Sequence, residues 1–173
     1  MTDRVAGELV EVVDPDGSVE RLVTRGEMRA GNLRHRATYV VVRDREGRVL
    51  VHQRAPWKDI WPSRWDVAFG GVCAPGESWV DAAARELAEE AGLDDPLVDL
   101  GPVRFENALT RVVGRVFSTV ATTAPTFPDG EVVDHRWVPV DRLGAWAAEH
   151  ELCDDSAAVV LPLLCQPERQ ARS

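Results

Sequence analysis

The chain has 173 residues, of which 45% are hydrophobic and 28% are charged, and its formal net charge at pH 7 is −9. These values are typical of a globular domain with a buried core, and we expect a single domain over residues 1–173. The negative charge argues against a nucleic-acid partner, because phosphate backbones bind to basic surfaces.

The first third of the chain reads as strands. Alternating apolar and polar residues predict an N-terminal hairpin extension within residues 1–33, with strands at 8–13 and 19–23 joined by a Pro- and Gly-containing turn. A short helical or irregular link at 25–32 follows. Further strands are expected at 37–43, 48–54 and 65–69, with a Trp- and Pro-rich loop at 55–64 before the last of them.

The rest of the chain mixes helices and strands. We expect a helix at 79–91, a hairpin of long strands at 97–108 and 111–122, and a strand at 132–140. Helices at 141–150 and 154–164 complete the chain, the second broken by Pro162. Because there is no regular strand–helix–strand alternation, we predict an α+β sandwich with helices outside a mixed sheet.

Residues 71–93 carry the most informative pattern, G-x5-E-x7-R-E-L-x-E-E-x-G-L. Ser78 is a suitable N-cap for the helix and Gly92 a suitable C-terminal stop. At 100° per residue, an apolar stripe is expected from Val80, Ala83, Ala84, Leu87 and Ala91. Glu86, Glu89 and Glu90 would share another face, where like charges destabilise a helix unless a cation offsets them. Hard divalent cations prefer such carboxylate oxygens.

This pattern is the signature of the Nudix superfamily, and the chain resembles its members, which cleave diphosphates linked to a further group. The resemblance implies an α/β/α sandwich and binding of Mg²⁺ or Mn²⁺. Glu89 and Glu90 match the main metal ligands, Glu86 completes the site or acts as the base, and Gly71 matches a backbone carbonyl ligand.

The remaining signature positions have structural roles by the same resemblance. Arg85 would clamp the Glu77 carboxylate and hold the loop against the helix, and Gly92 ends the helix. The competing interpretation is a solvated acidic face in which Arg85 pairs with Glu89.

A second resemblance covers residues 33–71 and points to the branch that contains isopentenyl-diphosphate isomerases and related hydrolases. It depends on His35-Arg36-Ala37, Gln53-Arg54-Ala55, Lys58 and Trp61-Pro62-x-x-Trp65. It implies that Arg54 and Lys58 hold the substrate diphosphate. His35 either reaches the phosphate or is a structural histidine.

Isomerase activity is nevertheless disfavoured. The catalytic Cys of the isomerases and a metal-binding His match Gly70 and Val72, and their acidic residues fall near Thr110 and Val112. None of these four residues supplies a donor for allylic proton transfer. We therefore expect a diphosphate hydrolase, with a non-catalytic diphosphate-sensing module as the alternative.

Several features stay open at this stage. A further metal ligand is either Glu131 or Glu106, and Trp57 and Trp61 either stack on a substrate or fill the core. The substrate is a small-molecule diphosphate of nucleotide or prenyl type, and nucleoside triphosphates, nucleotide sugars, dinucleotides and prenyl diphosphates all remain open. The N-terminal strands could pair two copies as a homodimer.

Cellular location is predicted from absences and from cysteine usage. No apolar run is long enough to span a membrane, and no leader is visible. Cys73, Cys153 and Cys165 are odd in number and lack metal-type spacing. We therefore expect reduced thiols in a cytoplasmic protein without a membrane partner.

Overall fold

A computed structural model describes residues 6–165. The strands are β1 (Leu9–Val13), β2 (Val19–Thr24), β3 (Arg34–Arg43), β4 (Val49–Arg54), β5 (Trp65–Asp66), β6 (Val98–Glu106), β7 (Arg111–Val120) and β8 (Val132–Val138). The helices are α1 (Arg25–Ala30), α2 (Trp79–Glu86), α3 (Val140–Ala148) and α4 (Leu161–Cys165). Wider, π-helical turns follow α2 at Leu87–Ala91 and precede α4 at Ser156–Val160.

The strands form one mixed sheet. Its main path runs β2-β1-β3-β4-β5; β7 pairs with β3 in parallel, β6 pairs with β7, and β8 pairs with β4. The predicted N-terminal hairpin is confirmed as β1 and β2, which pair antiparallel. β3 and β4 share only the Arg43–Val49 register pair, and further along β3 its backbone pairs with the segment 69–73 instead.

The core lies on both faces of this sheet. On β3, Tyr39 and Val41 belong to a cluster beneath α3 and α4, while Val40 and Val42 pack in a second cluster with Leu87 beneath α2. This alternation follows from the two-residue period of a strand. The predicted α+β sandwich is therefore confirmed. A third cluster, which includes Val10, Met28 and Val72, ties the hairpin and α1 to the body.

The apolar face predicted for the signature helix was partly wrong. Val80 is 50% exposed and Ala84 is exposed, whereas Ala82, Ala83 and Leu87 are buried. Val80 and Ala84 lie in the regular turns of α2, so the error lies in the direction of the predicted stripe: the buried face is rotated toward Ala82 and Ala83.

Two other predicted elements differ in the structure. The strand expected at 65–69 is limited to Trp65–Asp66, because the chain then leaves β4 and bridges to β3 at Phe69. Pro162 does not break the last helix, which runs from residue 154 to 165. The carbonyl that the proline ring would meet, at residue 158, lies in the wider turn at Ser156–Val160. Within residues 6–165, no helix is long and apolar enough to cross a membrane.

Candidate active site

A cleft of about 870 Å³ lies between the hairpin with α1, strand β3, the 55–64 loop and the signature segment. Of the residues predicted from the sequence, it is lined by His35, Arg54, Lys58, Gly71, Arg85, Glu86, Glu89, Glu90 and Glu131. Elements that are far apart in the chain therefore bring these side chains to one place. Glu77 and Gly92 lie behind the lining, in the loop and helix end that support it.

Local interactions shape the signature segment. The Ser78 hydroxyl accepts a hydrogen bond from the Asp81 N–H at 3.2 Å and so caps α2. Arg85 donates two hydrogen bonds to Glu77, at 2.9 and 3.0 Å, and these hydrogen bonds lower the pKa of Glu77. Gly92 ends the helix at φ 66°, where a Cβ would lie 2.1 Å from Thr126 Oγ1.

The glutamates that were expected to share one face have different surroundings. Glu90 is only 7% exposed, and its carboxylate accepts a hydrogen bond from the Gly70 N–H at 3.1 Å. Glu89 has a 57% exposed side chain that pairs with Arg85 at 3.2 Å. The expected three-glutamate face is thus one buried carboxylate, one half-buried one and one exposed one.

Glu90 has two carboxylate neighbours from another part of the chain. Ligand atoms of Glu90, Asp129 and Glu131 all lie within 4.8 Å of one another. Burial, and secondly the charge of Glu86, raises the pKa of Glu90 to about 8, and burial also raises the pKa of Asp129. Sequence reasoning missed Asp129, whose only signal was its position in the Pro-Asp-Gly turn beside Glu131.

This cluster fits a divalent cation. All three donors are carboxylates, which Mg²⁺ and Mn²⁺ prefer. The raised pKa of Glu90 shows that the protein alone does not compensate its buried charge. A bound cation would supply that compensation.

Glu86 and Gly71 meet at the edge of the same cleft. A Cβ on Gly71 would lie 2.7 Å from Glu86 Oε1, so a larger residue at position 71 would displace this carboxylate. Arg85 donates to Glu86 at 2.7 Å, while burial raises the pKa of Glu86. Glu86 is therefore held in place with its carboxylate turned toward the Gly71 backbone.

Glu106 does not take part in the cleft. Its 45% exposed side chain accepts hydrogen bonds from Arg34 and Arg111, and the Arg34 interaction is the main reason its pKa is lowered. Of the two residues left open by the sequence, only Glu131 lies with Glu90.

Basic side chains form the wall that faces the carboxylates. The Lys58 ammonium contacts the Glu131 carboxylate, and the Lys58 side chain is 14% exposed. Arg54 donates one hydrogen bond to the Ile60 carbonyl at 3.3 Å, and its buried Nε has no partner among residues 6–165. Both residues line the cleft, so the opposing charges of the site come from the 55–64 loop and the end of β4.

The aromatic residues and His35 have different surroundings. His35 is 2% exposed, its Nδ1 lies 3.0 Å from the Leu33 carbonyl, and burial lowers its pKa to about 4. Trp57 is 61% exposed, whereas Trp61 is buried and lines the cleft. Trp65 belongs to the core.

The inner end of the cleft holds a second pair of acids that the sequence did not reveal. Tyr39 donates to Asp155 at 3.1 Å, and burial, followed by the charge of Asp66, raises the pKa of Asp155 to about 6. Asp66 accepts hydrogen bonds from the Ala68 N–H and the Ser156 hydroxyl. Three separate elements supply this cluster, so no local motif announces it.

The position expected for an isomerase cysteine has no space for a side chain. Gly70 has φ 153°, and a Cβ there would lie 1.9 Å from the Thr38 carbonyl oxygen. The nearest thiol, Cys73, is buried, and burial raises its pKa to about 12. A thiol of this kind is a poor nucleophile or base.

The fold and the cleft together define a class of protein. An α+β sandwich whose capped helix brings carboxylates into a cleft with opposing basic side chains has the architecture of a hydrolase acting on phosphate compounds. The NUDIX domain model matches residues 33–159, and the chain belongs to the Nudix family. It is a hydrolase of the Nudix type, as the sequence predicted.

Related proteins agree with this assignment. The chain is 37% identical over 139 residues to an uncharacterized Nudix hydrolase from Yersinia pestis. The aligned region covers 80% of this chain and 76% of the relative. The crystal structure of DR0079 from Deinococcus radiodurans is similar with a TM-score of 0.73 at 22% identity, covering 91% and 97% of the two chains. The NUDIX domain of Shewanella oneidensis NrtR, complexed with ADP ribose, gives a TM-score of 0.61 at 19% identity, covering 82% and 96%. Membership of the branch that contains the isopentenyl-diphosphate isomerases remains a prediction.

Proposed function

We propose that the protein is a Mg²⁺- or Mn²⁺-dependent hydrolase that cleaves a small-molecule diphosphate linked to a further group. One observation carries the proposal: the carboxylates of Glu90, Asp129 and Glu131 cluster in the same cleft as Lys58 and Arg54. Cations on one side and basic side chains on the other suit a diphosphate, which carries several negative charges.

The ligands proposed for the metal come from the signature segment and the loop before β8. Glu90, Asp129 and Glu131 would hold one ion, and Glu86, Glu89 and the Gly71 carbonyl line the same cleft as further ligands. A bound metal would neutralise negative charge on the phosphoryl oxygens and lower the pKa of a bound water molecule.

The other steps belong to residues of the chain. Arg54 binds a phosphate through a guanidinium fork and Lys58 through a point charge. Water attacks one phosphorus, the bond from that phosphorus to the bridging oxygen breaks, and the leaving phosphate departs with that oxygen. Glu86, whose carboxylate is held at the edge of the cleft by Arg85, either completes the metal site or accepts the proton of the attacking water.

The test is a panel of nucleoside triphosphates, nucleotide sugars, dinucleotides and prenyl diphosphates, assayed for phosphate or monophosphate release with Mg²⁺ or Mn²⁺. We expect turnover of at least one class that stops with EDTA and returns on adding metal. Turnover that continues in EDTA would contradict the metal-dependent mechanism.

The second candidate is a module that binds a diphosphate metabolite without turnover. It is favoured by one observation, the ADP ribose complex of the NrtR NUDIX domain. Calorimetric binding of panel compounds without any metal-dependent product would support this candidate. The complete set of signature carboxylates favours catalysis instead.

Location and assembly are also proposals. The free thiols of Cys73, Cys153 and Cys165 support a reducing, cytoplasmic environment. β2 ends the main path of the sheet and carries the exposed side chains Val19 and Leu22, which could pair with a second copy. Light scattering of the purified protein would distinguish a homodimer from a monomer.

A further inference from the structure

Two arginines of the N-terminal extension point to a function for that extension. Arg25 and Arg29 are four residues apart on α1, so they share a face of this short helix. The helix is held by a capping box between Thr24 and Glu27, and Met28 anchors it in the buried cluster with Val10 and Val72. Both arginines line the cleft that contains the signature carboxylates.

Unpartnered polar atoms are concentrated around this cleft. Among residues 6–165, eleven buried side-chain nitrogen or oxygen atoms have no hydrogen-bond partner. Six of them belong to cleft residues: Arg25, Arg29, Thr38, Arg54, Trp61 and Thr110. Buried polar groups without partners are rare in native proteins, and a ligand is one way to satisfy them. Three of the six are guanidinium groups, which donate to anions.

The charges of these arginines are only partly compensated. Arg25 pairs with Glu8 at 3.5 Å and Arg29 with Asp59 at 3.0 Å, and both acids are about half exposed, at 55% and 46%. Burial lowers the pKa of Arg29, and the charges of Arg25 and Arg54 lower it further. The charge of Asp59 raises this pKa but does not cancel the decrease. Three guanidinium groups therefore lie close together in the wall. Arg54 is already compensated by neighbouring acids, which raise its pKa, so an anion bound at this wall would chiefly add to the partial compensation of Arg25 and Arg29.

The position of this cluster places the anion beside the diphosphate. Arg54 is near Arg29, and it lines the cleft together with Lys58 and Glu90. Arg25 is also near Glu86. Burial raises the pKa of Glu86, and the charge of Arg25 lowers it by a smaller amount. The two arginines thus lie between the proposed diphosphate site and the hairpin.

We propose that Arg25 and Arg29 bind a third phosphate next to the diphosphate held by Arg54 and Lys58, so that the substrate class is a triphosphate compound. The proposal rests on the proposed function for the placement of the diphosphate. Two guanidinium groups offer paired N–H donors to the oxygens of a phosphate, and neither belongs to the signature. The hairpin extension would then select substrates by phosphate number.

The test compares inorganic tripolyphosphate with pyrophosphate, by calorimetry in Ca²⁺ buffer. The wild-type protein should bind tripolyphosphate about 10–100-fold more tightly than pyrophosphate, the effect expected of charge-assisted hydrogen bonds. In Arg25→Gln/Arg29→Gln this ratio should fall to within about 3-fold of unity. The matched control Arg21→Gln/Arg104→Gln also removes two charges, from side chains that are 54% and 61% exposed, and should keep the wild-type ratio.

Other results would separate this proposal from the proposed function. A wild-type ratio near unity, or a double variant that keeps the wild-type ratio, overturns the third-phosphate site even if the protein hydrolyses diphosphates. A preference lost in the double variant supports the site even if no compound is hydrolysed. If the double variant does not fold, the single variants Arg25→Gln and Arg29→Gln must each lower the ratio, or the proposal fails.

Discussion

Glu90→Gln tests the metal site through stability and activity together. The substitution keeps the size of the side chain and an oxygen that can accept the Gly70 N–H, but it removes the charge. Glu90 is 7% exposed, and burial, with the charge of Glu86, raises its pKa from 4.5 to about 8. Without metal, ionised Glu90 is therefore a buried charge that Lys58, Arg54 and the Gly70 N–H compensate only in part.

The sign and size of the effect follow from the shifted pKa. Because the pKa of Glu90 is raised in the folded state, Glu90 does not destabilise the protein below about pH 4.5. Between about pH 4.5 and 8, it lowers the free energy of unfolding by an amount that grows with pH. At about 1.36 kcal/mol per pKa unit, the cost is under about 1 kcal/mol at pH 5 and roughly 3 kcal/mol at pH 7. Metal-free Glu90→Gln should exceed the wild type in free energy of unfolding by these amounts.

Urea denaturation in EDTA at pH 5 and pH 7 measures this difference directly. Adding Mg²⁺ should stabilise the wild type much more than the variant, because a ligand stabilises only the form that binds it. Hydrolysis by the variant should fall by orders of magnitude. Glu89→Gln is the control for stability: its side chain is 57% exposed, so metal-free stability should change by no more than about 0.5 kcal/mol.

Two results would refute this reasoning. Equal metal-free stability of Glu90→Gln and the wild type at pH 7 would show that Glu90 does not carry an uncompensated buried charge. Undiminished Mg²⁺-dependent hydrolysis by the variant would remove Glu90 from the metal site. The pH dependence is read as the difference between the two proteins, since buried His35 and His52, with pKa values lowered by burial to about 4, affect both alike.

Three further predictions concern the rest of the cleft. Lys58→Ala should lower kcat/KM about 5–150-fold with little change in Tm, and unchanged kinetics on the true substrate would return Lys58 to a structural pairing with Glu131. The protein should not convert isopentenyl diphosphate to dimethylallyl diphosphate, because Gly70 has no space for an acid or thiol; turnover that is lost in Cys73→Ala would reverse this conclusion. Arg85→Lys should cost about 1–3 kcal/mol in urea denaturation, because lysine cannot form the two-bond contact with Glu77, and an unchanged midpoint would contradict that role.

The local parts of the site were predictable from the sequence because their contacts are short in sequence. Ser78 caps a helix three residues away, and Arg85 reaches back eight residues to Glu77. Gly92 ends the helix in a left-handed conformation that favours glycine. Such contacts depend on spacing and on residue type, and both can be read from one sequence.

The carboxylate cluster was less predictable because it depends on two features that spacing does not show. The first is which face of the signature helix is buried: Glu90 lies on the buried side with Leu87 and Ala91, while Glu89 stays exposed. The second is the path of the 121–131 loop, which carries Asp129 and Glu131 to Glu90. A regular helix wheel contains neither feature.

The basic wall was hidden for a different reason. A net charge of −9 describes the whole surface, and it is the basis for the prediction that no partner with an extended phosphate backbone binds. It could not show that Arg25, Arg29, Arg54 and Lys58 line one cleft. The electrostatic potential inside a cleft depends on where the charged side chains lie. A protein with a negative net charge can therefore contain a basic subsite. The hairpin before the family match at 33–159 supplies two of these four charges, which is why a signature-based reading of the site omits them.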